Sequence, residues 1–154
     1  MEFEKLYMFN PFNMSSAKSE DIAETYKSLQ GEIINTPDTP VEISKNIELY
    51  ANMNYLIGEM IARITEEYDT LKVETSIKEN KKLYETRQIW KENNDEKAPA
   101  MSYFEAIAKE SVQKELKELA ELGARLFRFK KAYESIESKQ NALKKRIESI
   151  KYEL

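Results

Sequence analysis

The chain has 154 residues, 41% of them hydrophobic and 34% charged, with a formal net charge of −4. It contains no cysteine and no histidine, which excludes disulfides, thiolate catalysis, zinc ribbons, Ser-His-Asp triads and histidine general bases. Its three glycines form no phosphate-cradling loop, and no apolar run approaches the ~18 residues of a membrane span.

Few glycines and prolines among many Glu, Lys, Leu and Ile predict an all-α fold. The four prolines, at 11, 37, 40 and 99, divide the chain. Residues 1–14 (MEFEKLYMFNPFNM) carry Phe3, Leu6, Tyr7, Met8, Phe9, Phe12 and Met14. They lead an aromatic N-terminal arm, 1–19, that is too apolar to stay in water and is expected to pack on its own bundle. A short helix is predicted over 20–30, with Ser19 as N-cap, Glu20 and Asp21 at the positive end of the dipole, and Gly31 as a left-handed stop. Ile22, Tyr26 and Leu29 give it one apolar stripe.

Thr39-Pro40-Val41-Glu42 is a strong helix start: Thr as N-cap, Pro at the first helical position, Glu placed to reach back to the cap. A long helix is predicted over 40–91. Ile43, Ile47, Tyr50, Asn54, Ile57, Ile61, Ile64, Tyr68 and Leu71 follow an unbroken 4-3 spacing, a coiled-coil seam. Leu49, Met53, Leu56 and Met60 widen this apolar face, for which the short helix and the arm are the natural covers. Ala51 and Gly58 offer places of close approach. From 72 the heptad is lost, and LKVETSI alternates as a strand would, so a small β-hairpin at 72–90 competes with continued helix. The density of Lys and Glu and the lack of a turn glycine favour helix.

Residues 92–102 are predicted as a polar loop, running into a second capping box at Ser102-Tyr103-Phe104-Glu105. One last helix is expected over 103–152, with a 4-3 seam of Leu119, Leu122, Leu126, Phe129, Tyr133, Ile136, Gln140, Leu143, Ile147 and Ile150. The two long helices then form a long antiparallel, coiled-coil-like hairpin in a single domain. A symmetric loop puts Asn54 level with Gln140, where their amides can hydrogen-bond.

The charge is uneven. Residues 1–122 hold 15 basic and 24 acidic side chains, whereas 123–151 hold nine basic and three acidic. In heptad terms Arg125, Lys139 and Arg146 flank one side of the last seam, Lys130, Lys144 and Lys151 the other, and Lys131 and Lys145 point outward. The matching flanks of the first long helix hold only one acid, Glu67, so these cations and Arg128 have little compensation within the hairpin. They are the candidate nucleic-acid or partner-binding residues, with Trp90, beside Lys78, Lys81, Lys82, Arg87 and Lys91, as a candidate stacking group. A solvated helix face is the competing reading. The acids Glu66, Glu67, Asp69, Asp95 and Glu96 do not converge at helical spacing, so no catalytic residue, metal site or cofactor is expected.

The segment Ser102–Leu154 (SYFEAIAKESVQKELKELAELGARLFRFKKAYESIESKQNALKKRIESIKYEL), taken with the preceding long helix, resembles small helical proteins encoded by bacteriophages. In layout it is similar to the recombination-mediator family, which binds single-stranded DNA and helps load a recombinase. That layout is a long helix, an acidic loop, an Ala/Lys-containing helical turn and a final basic helix, over about two-thirds of the chain. The resemblance implies a non-enzymatic accessory of DNA recombination or repair that contacts single-stranded DNA and a recombinase in the bacterial cytoplasm. The net acidity and the aromatic arm depart from the family. They fit a second expectation, a phage-encoded inhibitor of a host defence nuclease, as anti-CRISPR proteins are. A structural component of a phage particle, or a homo-oligomeric scaffold, is a third.

Overall fold

A computed structural model describes residues 16–94 and 96–153; the aromatic arm up to Ser15, Asp95 and Leu154 lie outside the described residues. Among the described residues the protein is all-helical, with four helices in chain order: α1, Ser19–Glu32; α2, Pro40–Asn93; α3, Met101–Ser111; and α4, Gln113–Glu153. The helices pack on one another and divide into two compact units, one of residues 1–63 with 127–154, the other of residues 64–126.

The first unit is built from α1, the N-terminal half of α2 and the C-terminal part of α4. Its core joins Ile22 and Leu29 of α1, Leu49, Met53, Leu56 and Ile57 of α2, and Ile136 of α4. The wide apolar face of α2 is therefore covered by the short helix, as its sequence requires. The turn between α1 and α2 is pinned by Asn46, which is 2% exposed. Its Oδ1 accepts from Ile34 N at 3.0 Å and its Nδ2 donates to Ile34 O at 2.8 Å, so both buried polar groups are satisfied.

The Thr39 capping box forms as its residue types dictate. Glu42 N donates to Thr39 Oγ1 at 3.2 Å, and Glu42 Oε2 accepts from Thr39 N at 3.1 Å and Asp38 N at 2.9 Å. These backbone donors, Asp38 first, hold the Glu42 carboxyl below its ordinary value. The other expected caps do not form. Lys18 and Ala100 occupy the cap positions of α1 and α3 without side-chain bonds. Ser19 lies inside α1, where its hydroxyl accepts from Arg63 Nη1 at 3.2 Å. Gly31 stays within the helix, and no described glycine has a positive φ. α3 starts one residue ahead of Ser102, which therefore cannot be its cap.

The second unit contains the C-terminal part of α2, α3 and the start of α4. Residues 72–90 are helical, and no strand occurs among the described residues. The seam continues through a polar residue, Thr75, which is buried and bonds Leu71 O at 2.6 Å. Val73, Ile77, Tyr84 and Ile89 lie outside it and are exposed. The single last helix predicted over 103–152 is broken at Val112, where the backbone adopts φ −115° and ψ 18°. Ser111 Oγ takes the Ala108 carbonyl at 2.6 Å, a local bond that competes with the helical ladder. Val112 N turns to Lys109 O at 3.2 Å, and Val112 is fully buried. Trp90 packs edge-on against Phe104, with ring centroids 6.4 Å apart, and Phe104 against Tyr103. Lys78 reaches Glu115 across the helix pair.

Within the first unit α2 and α4 run antiparallel, but not in the expected register. Asn54 Nδ2 donates to Tyr133 O at 3.3 Å, and Gln140 Nε2 donates to Ile47 O at 3.2 Å. Asn54 thus faces a position one heptad away from Gln140, and each amide bonds the opposite backbone instead of its counterpart. A slip of one heptad keeps every seam residue in phase. Periodicity alone therefore could not distinguish the two pairings.

Candidate nucleic-acid interface

α4 carries the basic residues because its seam repeats every heptad and leaves the remaining positions to water. Arg128, Lys130, Lys131, Lys139, Lys144, Lys145 and Arg146 belong to the first unit, and all are exposed. Arg125 and Trp90 belong to the second, and the two sets are described apart. The cations do not gather into a pocket. From Arg128 to Lys145 they are strung along roughly 25 Å of helix at 1.5 Å per residue, on both flanks of the seam and on the outer face.

Their local partners sort them. Arg146 is a structural residue: Nη1 donates to Pro37 O at 2.7 Å, and Nη2 lies 3.7 Å from Asp38 Oδ1. It ties α4 to the turn that precedes α2. Lys131 pairs with Glu134 at 2.9 Å and stands 5.6 Å from the centre of the Phe127 ring. Arg128, Lys130, Lys139, Lys144 and Lys145 form no ion pair among the described residues. Such exposed, unpaired cations are the groups from which counterion release draws binding free energy.

Trp90 is not a free stacking group. Its Nε1 is buried and unpartnered, and its ring is taken by Phe104. Among the aromatics that lie between Arg125 and Arg146, Phe127 stands most open, 61% exposed, next to Arg128 and close to Lys130 and Lys131 along the chain. Sequence reasoning missed it. The available signal was its position one residue past seam residue Leu126, which points a large apolar ring at water.

Among the described residues no three acidic groups converge as a metal site, and no helix is long and apolar enough to cross a membrane. No protein-family model, characterised protein or solved structure matches the chain.

Proposed function

We propose that the protein is a non-enzymatic, phage-type accessory of DNA recombination or repair that contacts single-stranded DNA through α4. The observation that supports this is the open Phe127 ring under Lys131 and beside Arg128 and Lys130 in the chain, with the unpaired Lys139, Lys144 and Lys145 further along α4. A flexible strand can wind its phosphates around a helix charged on several sides and stack a base on the ring, with no need for a rigid groove. The rest of the chain is acidic, which opposes binding away from this helix and would confine the strand to it.

The test is anisotropy of a labelled single strand at stepped salt. Replacing Arg128, Lys130 and Lys145 by Glu should weaken binding whatever the sequence, and flatten the log–log salt slope by roughly 0.7 per lost contact. Phe127→Ala should lose about 1–3 kcal/mol of binding with little change in slope. No measurable binding by the wild type at low salt would refute the reading. A protein inhibitor of a defence nuclease is the second reading. It is favoured by Val73, Ile77 and Tyr84, exposed within one 40° sector of α2 as a mainly apolar patch suited to a protein surface. Retention of a nuclease, rather than of DNA, would select it.

A further inference from the structure

A groove of about 320 Å³ runs along one side of the first unit. Its lining takes in the buried Ile22, Leu56 and Ile57 and the half-buried Tyr26, Met60 and Phe129, with Lys27 and Gln30 at its exposed border. It follows α1 from Ile22 to Gln30, about 12 Å at 1.5 Å per residue. An apolar cavity of roughly 150 Å³ holds a benzene ring, so this space suits two aromatic side chains.

The chain holds a segment of that composition, attached beside the groove. Fifteen residues precede Ser16, the first described residue. Ala17 packs on the core cluster to which Ile22, Leu56 and Ile57 belong. Ser19, about one turn before Ile22, bonds Arg63, about one turn past Met60. The chain therefore enters α1 at one end of the groove. From Ser19 to Gln30 the distance along α1 is about 17 Å, and an extended stretch over residues 9–15 covers about 20 Å.

The sequence of that stretch, Phe9-Asn10-Pro11-Phe12-Asn13-Met14, suits the space. Pro11 fixes its own φ and biases Asn10 to extended backbone. In a polyproline II chain, with three residues per turn, Phe9 and Phe12 share one face about 9 Å apart, within the length of the groove. We propose that the groove seats the chain's own arm, with the rings of Phe9 and Phe12 against Tyr26, Met60 and Phe129. A tether this short gives the arm an effective concentration in the millimolar range, which the arm of a second copy does not reach in dilute solution. The proposal uses none of the cations of α4 and is independent of DNA binding.

The full chain has no cysteine, so Asn13→Cys takes a single nitroxide label. The label should broaden the methyl signals of Met60 and Ala132 and leave those of Ile43, about 25 Å from Met60 along α2, sharp. No broadening at Met60 and Ala132, or broadening at Val73 and Ile77 instead, would overturn the proposal. In a mixture of nitroxide-labelled, isotopically silent chains with unlabelled chains carrying ¹³C-methyl groups, the broadening should vanish. Its persistence would give the groove to a second copy's arm and would equally overturn the proposal. Phe9→Ala combined with Phe12→Ala should lower Tm by about 5 °C. Ala132→Trp fills the groove, and in that background the same pair should cost less than about 1 °C. An equal loss in both backgrounds would show that the rings pack elsewhere. The nitroxide measurement leaves the groove unaltered and decides alone if Ala132→Trp disturbs the fold.

Discussion

The two units solve the same packing problem with different resources. Around residues 46–60, α2 has apolar side chains on more than half its circumference, and α1 supplies a third helix to cover what α4 cannot. Buried residues from three helices result, among them Ile22, Leu29, Met53, Leu56 and Ile136. In residues 64–126 the buried apolar set is Ile64, Phe104, Ala108 and Val112, joined by Thr75. Val73, Ile77, Tyr84, Met101 and Tyr103 stay exposed there. A two-helix seam can bury only its a and d positions; a broader apolar face needs another element or stays wet. The contrast explains why Leu49, Met53 and Leu56, beside the seam of α2, are buried in the first unit, whereas scattered large side chains after residue 72 are not.

The largest expected effect probes the two cores as a pair. Leu56 is 1% exposed and Phe104 3% exposed, so truncation of either to alanine should cost about 3 kcal/mol in denaturant unfolding. The hydrogen-exchange patterns should differ. Leu56→Ala should release amides of α1 and its α2 contacts, whereas Phe104→Ala should release α3 while α1 keeps its protection. Uniform loss of protection in both variants would show the units to be one cooperative body and would break the comparison.

A smaller effect distinguishes how each unit uses a carboxylate. Glu42 is held low by the amides of Asp38 and Thr39, and Glu115 chiefly by a hydrogen bond from Lys78. Both shifts are downward, so each contributes stability that is present above the ordinary value of 4.5 and lost as pH falls through the lower folded value. Glu42→Gln and Glu115→Gln should each reduce the acid sensitivity of unfolding below about pH 4.5. Added salt should weaken the Glu115 contribution, whose partner Lys78 is largely exposed, more than that of Glu42, which is a cap. Thr39→Ala should cost about 1 kcal/mol at neutral pH.

The smallest effect is a gain. Gly58→Ala in the first unit should stabilise the fold by up to about 1 kcal/mol, because nothing occupies the space its Cβ would take. Gly123→Ala in the second should give a similar gain, since its Cβ would meet only Tyr68 Cε2 at 3.6 Å, an ordinary contact. Thermal unfolding of the two variants measures both. A loss at Gly58 would mean that the space beside it closes more tightly in solution than its geometry indicates.

Local and periodic information in the chain determined the helical class, the starts of α1 and α2 within a residue, the capping box at Thr39, and the identity of both seams. Each of these depends on side chains within one or two turns of one another, so the residue types are sufficient. The position of cations on α4 was legible for the same reason. What those cations do was not: Arg146 is occupied by Pro37 O and Asp38, and Lys131 by Glu134. Tertiary structure alone decided the heptad register, because a shift of seven residues leaves the apolar pattern unchanged. The break at Val112 draws on both: the Ser111 hydroxyl competes locally for the Ala108 carbonyl, and the burial of Val112 against the rest of its unit holds the turn. The limit met by the register applies also to Trp90, which packs against Phe104, and to the unpaired oxygen of Asn54. Both depend on what another helix places beside them, and a single strand of helical periodicity carries no record of its neighbour.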